Sequence, residues 1–149
     1  MIRILGSVIL LTVTSAARAL PVTHYPAATA PFAEVGAPPP YSAAVLAGDT
    51  LYVAGSTDAD AAGKPAPDAT TAALRILDKM KGTVERAGMT MNDLVWVQVF
   101  ATNLADYNAF NTVYRGYFTG PMPTRAFIGA GNLLGGAHFE VMGIAVKAK

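Results

Sequence analysis

Leu74, Leu77, Met80, Lys81, Val84 and Ala87 recur at three- and four-residue steps, with Arg75, Asp78, Lys79, Glu85 and Arg86 on the other side. That spacing predicts an amphipathic helix. Asp68 stands where an N-cap acceptor is needed, and Gly88 where a C′ residue ends the last turn. A second helical period runs from Asp106 to about Phe118, with Tyr107, Phe110, Val113, Tyr114 and Tyr117 as its apolar stripe. Thr119-Gly120-Pro121-Met122-Pro123 then stops it, since proline lacks an amide proton and clashes with a preceding helical turn.

Around these helices the period changes to two. Tyr41 to Leu46 and Thr50 to Ala54 are β-type runs about Ala47-Gly48-Asp49, which predicts a hairpin. Gly55 to Pro67 is a loop with Gly63-Lys64-Pro65 at its tip. In Leu94 to Thr102, Val95, Val97 and Val99 share one face and Trp96, Gln98 and Phe100 the other. Thr124 to Gly129 and Phe139 to Val146 add two strands, joined by the glycine-rich stretch Gly131 to Gly136. The order strand, strand, helix, strand, helix, strand, strand predicts an α/β (α+β) domain, one mixed sheet with both helices on one face. The other face, with Trp96 and Phe100, is too apolar for water and is expected to pack against further copies of the chain.

The first forty residues follow neither rhythm. Met1-Ile2-Arg3, the apolar run Ile4 to Val13 and Ala17-Arg18-Ala19 have the make-up of a secretory signal over residues 1–19. The apolar run falls short of the roughly 20 residues that span a bilayer. Cleavage near Ala19 would give an exported chain, periplasmic or secreted, with no membrane segment. Residues 20–40 read as a Pro/Ala-rich extended arm ending in Pro38-Pro39-Pro40, and residues 41–149 as the domain. Losing Arg3 and Arg18 leaves nine basic residues against ten acidic ones, so the net charge moves from +1 to −1. That balance argues against nucleic acid as a partner, because non-specific binding rests on neutralising phosphates. The chain has no cysteine, which excludes disulfides, thiol nucleophiles and cysteine-based metal sites.

Several familiar sites are missing. His24 lies in the arm and His138 in a loop, and no His-Glu-x-x-His occurs, so metal ligation has no helical pair. Gly129-Ala130-Gly131 follows a strand without opening a helix, which fails the context for a dinucleotide site. No Gly-x-Ser-x-Gly elbow is present. Arg125 and Glu140 remain, fifteen positions apart in a weakly charged stretch. A guanidinium fork suits a carboxylate ligand, and a carboxylate on an adjacent strand could aim a water beside it. Arg125 is equally readable as a surface arginine paired with an acid. Glu140, between Phe139 and Val141, is also readable as half of an ion pair across subunits, because an unpaired buried charge is costly. Tyr41 taken alone is a packing residue, and Asn111 a hydrogen-bonder within its helix.

The chain resembles the RidA family, also called the YjgF family, over Pro40 to Val146. Carrying the resemblance are Pro40-Tyr41, Leu51-Tyr52-Val53-Ala54-Gly55, Glu85-Arg86-Ala87-Gly88, and Asp93 to Phe100. Asn111 to Phe118, Pro123-Thr124-Arg125 and Glu140 to Val146 continue it. The resemblance implies a chorismate-mutase-like fold and a homotrimer whose sheets form a central barrel, with sites in the clefts between subunits. It implies cofactor-free hydrolysis of reactive enamines and imines of the 2-aminoacrylate/2-imino acid type to a 2-keto acid and ammonia. Arg125 would hold the substrate carboxylate, Glu140 would position water, Tyr41 and Phe127 would line the pocket, and Asn111 would stand near it. The chain departs from the family pattern at Ala54-Gly55-Ser56, Phe127, Gly129, Leu133-Leu134 and Met142. A rival expectation is a non-catalytic module that holds a small carboxylate in the same pocket. Endoribonuclease action, an older label of the family, fits poorly with the charge of −1.

Overall fold

The computed structural model describes residues 19–27 and 37–148. The signal sequence expected over residues 1–19 lies outside them apart from Ala19. Among the described residues there are six strands: β1 (Val22–Pro26), β2 (Ser42–Ala47), β3 (Thr50–Thr57), β4 (Leu94–Ala101), β5 (Thr124–Gly129) and β6 (Phe139–Val146). They form one sheet in the order β1-β2-β3-β6-β4-β5, in which only β4 and β5 run parallel. Helices α1 (Ala69–Arg86) and α2 (Tyr107–Arg115) pack on each other, and α1 lies against β3 and β6. The mixed sheet with helices on one face is therefore present, with one more strand than expected.

That extra strand is β1, within the stretch read as an arm without strand period. Its residues are almost all exposed, so no alternation of burial marks the sequence. It exists because it pairs antiparallel with β2, Val22 opposite Ala47 and Tyr25 opposite Ala44. Pro26, with no amide proton, falls at the bulged end of this outermost strand, where a proline is tolerated.

α1 begins and ends as its sequence dictates. The Asp68 carboxylate accepts the Thr71 amide at 2.9 Å, and Gly88 takes φ 71°, a left-handed conformation that only glycine adopts without strain. Its buried stripe is Ala73, Ile76, Leu77, Met80 and Val84, while Leu74 is 46% exposed. The stripe is thus rotated by about one position from the expected one, which had put Leu74 inward. α2 is shorter than expected: a 3-10 turn at Leu104–Asp106 precedes it, led by Asn103, whose side chain accepts the Ala105 amide. Asp106 makes no capping hydrogen bond, and the helix stops at Arg115 rather than near Phe118.

The sheet has two different faces. Leu51, Val53, Val97, Val99, Val141 and Ala145 are buried beneath the helices with Phe110 and Phe139. A register shift between Leu94 and Trp96 puts Leu94 in this core and leaves Val95 46% exposed, so Val95 does not share the face of Val97. On the opposite face the rows run Tyr52–Ile144–Trp96 and Glu140–Phe100–Ile128. No described element covers those side chains. Among the described residues no helix is long and apolar enough to cross a membrane.

Candidate functional site

Arg125 is the second residue of β5, opposite Val97 of β4, and so points to the helix side of the sheet. There its Nη2 donates to Asn111 Oδ1 at 2.7 Å. The guanidinium carbon lies 4.6 Å from the Tyr114 ring centre and 5.7–5.8 Å from those of Tyr107, Phe110 and Phe127. Aromatic faces attract a cation and leave its polar edge free for a ligand. A cavity of about 270 Å³ opens beside it, walled by Tyr107, Asn111, Tyr114 and Arg115 of α2. Met122 and Pro123, just before β5, also line it. Among the described residues Arg125 has no ion pair.

Two phenols respond to this setting in opposite ways. Burial pushes Tyr114 up from 10.0 to about 12, although the Arg125 charge works against it. Its hydroxyl is buried and has no hydrogen-bond partner among the described residues. Tyr107, on the cavity rim, is held below its ordinary value, first by the Asn111 side chain one turn on and then by the Arg125 charge.

Glu140 occupies a different surface. It is the second residue of β6, between Thr57 of β3 and Phe100 of β4. β2 pairs with β3 only as far as Ala44 and Val53, which leaves Ala54–Thr57 without a neighbour on that side. A larger cavity, about 750 Å³, lies over this gap, with Tyr41, Gly55, Ser56, Thr83, Arg86 and Glu140 in its lining. A Cβ on Gly55 would stand 2.3 Å from Glu140 Oε1, so the glycine makes room for the carboxylate. No hydrogen bond or ion pair among the described residues engages Glu140.

Of the five residues expected to form one site, the chain brings together Arg125 and Asn111 at one cavity and Tyr41 and Glu140 at another, which α1 also walls. Phe127 lines neither cavity. It packs edge-on against Tyr107 and Phe110, at centroid distances of 5.0 and 5.6 Å, and braces the wall behind Arg125. The expectation that Arg125 and Glu140 sit on adjacent strands is corrected: β4 lies between β5 and β6. Pairing with Val97 turns Arg125 toward the helices, whereas pairing with Phe100 turns Glu140 to the open face.

Asp58 escaped sequence reasoning. Fully buried just after β3, it accepts the amides of His138 at 2.7 Å, Phe139 at 3.0 Å and Ala66 at 2.9 Å. His138 Nδ1 lies 3.6 Å from Asp58 Oδ2, the oxygen that accepts from Ala66. Asp58 thereby fixes the start of β6, and with it Glu140. Lys79 secures the same segment by donating to the carbonyls of Thr57, at 2.8 Å, and Ala59. An acid directly after a strand was the available signal, but acids are common in such loops. Among the described residues no group of three or more His, Cys, Asp or Glu could hold a metal ion.

Residues 31–147 match the profile of the endoribonuclease L-PSP family, to which RidA and YjgF proteins belong. The chain belongs to this family. A relative from Dermatophagoides farinae named 2-iminobutanoate/2-iminopropanoate deaminase is 34% identical, over 72% of this chain and 85% of the relative. A RutC family protein of Saccharolobus solfataricus is 32% identical, over 73% and 88%. The solved YjgF gene product of Escherichia coli superposes with a TM-score of 0.70 at 28% identity, covering 84% of this chain and 94% of that one. Membership of the L-PSP family accounts for the sheet order and for the helix pair above it. The names within it range from imine deaminase to endoribonuclease.

Proposed function

We propose that the chain is a cofactor-independent hydrolase of reactive 2-imino acids and their enamine tautomers, releasing a 2-keto acid and ammonia. The observation that carries this reading is Arg125: a guanidinium held by Asn111, walled by aromatic rings, beside a cavity and without an acid of its own. A surface arginine paired with a carboxylate would look different. A permanently charged fork in that setting suits the carboxylate of a small acid.

The imine carbon is already electrophilic, so holding the anion and aiming one water supplies much of the acceleration. Water oxygen bonds to C2 while Glu140 takes one of its protons. Glu140 returns that proton to the nitrogen, giving a carbinolamine; its C–N bond then breaks as the hydroxyl proton passes by way of Glu140 to the nitrogen, so ammonia leaves and the C2 oxygen becomes the keto group. Because Arg125 and Glu140 face opposite sides of one sheet, the site is completed by two copies, Arg125 and Asn111 from one and Glu140 and Tyr41 from its neighbour. A homotrimer joined through the open face, where Tyr52, Trp96, Phe100 and Ile144 lie, supplies such neighbours. We further propose export after cleavage near Ala19, which would leave β1 whole.

One observation favours a second reading, a carboxylate-binding module without turnover. The Arg125 cavity is complete within a single chain and owes nothing to Glu140. Ammonia and keto-acid release from freshly generated 2-iminopropanoate separates the two. The hydrolase reading requires a rate above that of Arg125→Ala. Stabilisation by 2-ketobutyrate that needs Arg125, with no such rate, would establish the module instead.

A further inference from the structure

Within one chain, the cavity beside Arg125 contains a second cation. Arg115, in the last turn of α2, lines the same cavity. It stands four residues after Asn111, hence on the same side of the helix. Among the described residues neither arginine forms an ion pair, and no acidic residue is in the cavity lining. Within one chain the cavity therefore offers two permanent cations and no acid, and each cation can take one carboxylate of a dianion.

We infer that this cavity binds a small dicarboxylate, with the 1-carboxylate on Arg125 and the distal carboxylate on Arg115. Resting on the imine-hydrolase reading, the preferred substrates are then 2-imino dicarboxylic acids rather than 2-iminopropanoate. The volume of about 270 Å³ sits at the lower edge of small-molecule pockets, about 300–1,000 Å³, and suits a short acid better than a nucleotide. Unlike Arg125, Arg115 is exposed, so it can select between substrates without being needed for the core.

Calorimetric titration of the full protein with 2-oxoglutarate, 2-oxobutyrate and inorganic phosphate tests this without turnover. The dicarboxylate is expected to bind about tenfold more tightly than the monocarboxylate, the scale of one charge-assisted hydrogen-bonded pair. In Arg115→Ala that ratio should collapse toward one, and in Arg115→Glu it should invert. An unchanged ratio in Arg115→Ala overturns the inference. So does phosphate binding as tightly as 2-oxoglutarate, which would mark an oxyanion site of another kind. A change in assembly mass with the ratio intact also overturns it, because Arg115 would then serve a subunit contact. Deamination of imino acids made by an oxidase from glutamate and from alanine separates this inference from the hydrolase reading. Turnover without an Arg115-dependent preference sinks only the dicarboxylate, and the binding pattern without turnover sinks only the hydrolase.

Discussion

Arg125 and Glu140 lie on opposite faces of one sheet, with β4 between their strands: Arg125 is turned in with Val97, and Glu140 is turned out with Phe100. Neither touches an opposite charge among the described residues. The proposed hydrolase site therefore needs its two halves from two chains.

Arg125→Lys is expected to lose activity nearly as fully as Arg125→Ala. An ammonium keeps the charge but lacks the planar fork that holds a carboxylate by two parallel bonds. A loss of about 2–3 kcal/mol in transition-state binding, or roughly a hundredfold in kcat/KM, follows from removing a charge-assisted contact. Steady-state kinetics with circular dichroism as a folding control measures it. A lysine variant within a few-fold of wild type would remove the fork from the account.

Gly55→Ala tests Glu140 without altering it. The added methyl would occupy the space of Oε1, and the carboxylate must turn away. The expected result is a fall in kcat of about tenfold or more, as for a misplaced catalytic group, with little change in the binding of a keto acid. Unchanged kcat would mean that this position of Glu140 is irrelevant.

Asp58→Ala should cost about 3 kcal/mol or more, because three amides, two of them in buried hydrogen bonds, lose their acceptor together. Denaturant unfolding reads it directly. A loss below about 1 kcal/mol would place the anchoring of β6 elsewhere.

How much of this was legible beforehand follows from the physics of each element. α1 announced itself through Asp68, Gly88 and a strong period, because capping is a local interaction. β6 was bounded correctly at Phe139 and Val146, since an apolar run between glycine-rich and polar ends has few other solutions. β1 did not show, because an outer strand exposed on both faces has no pattern of its own. The Arg125 cavity was half visible: Tyr107, Phe110 and Tyr114 read as a helix stripe, but nothing local says that an arginine eleven to eighteen residues further along the chain lies across their faces. The separation of Arg125 from Glu140 depends on strand order and register, which are set by long-range pairing and leave no trace in spacing.

Alkaline titration should expose Tyr114. Its value in the folded chain is raised to about 12 from an ordinary 10.0, chiefly by burial. For an acid so raised, the unfolded state ionises first, so stability is intact below pH 10 and is lost as pH rises toward 12. At about 1.4 kcal/mol per unit, the loss is of the order of 2–3 kcal/mol at most. Tyr117 contributes in the same direction through burial and its hydrogen bond to Asp78. Tyr114→Phe should therefore flatten the decline between pH 10 and 12 without abolishing it, as read by unfolding midpoints. An equally steep decline in the variant would contradict the burial of this hydroxyl.

Subunit complementation tests the shared site most directly. Arg125→Ala and Glu140→Ala, each inactive alone, are unfolded together in equal amounts, refolded and assayed for ammonia release from 2-iminopropanoate. If one copy supplies Arg125 and its neighbour Glu140, random assembly restores an intact pair at roughly a quarter of the sites, with activity to match. A mixture as inactive as its two components would contradict a site built from two chains.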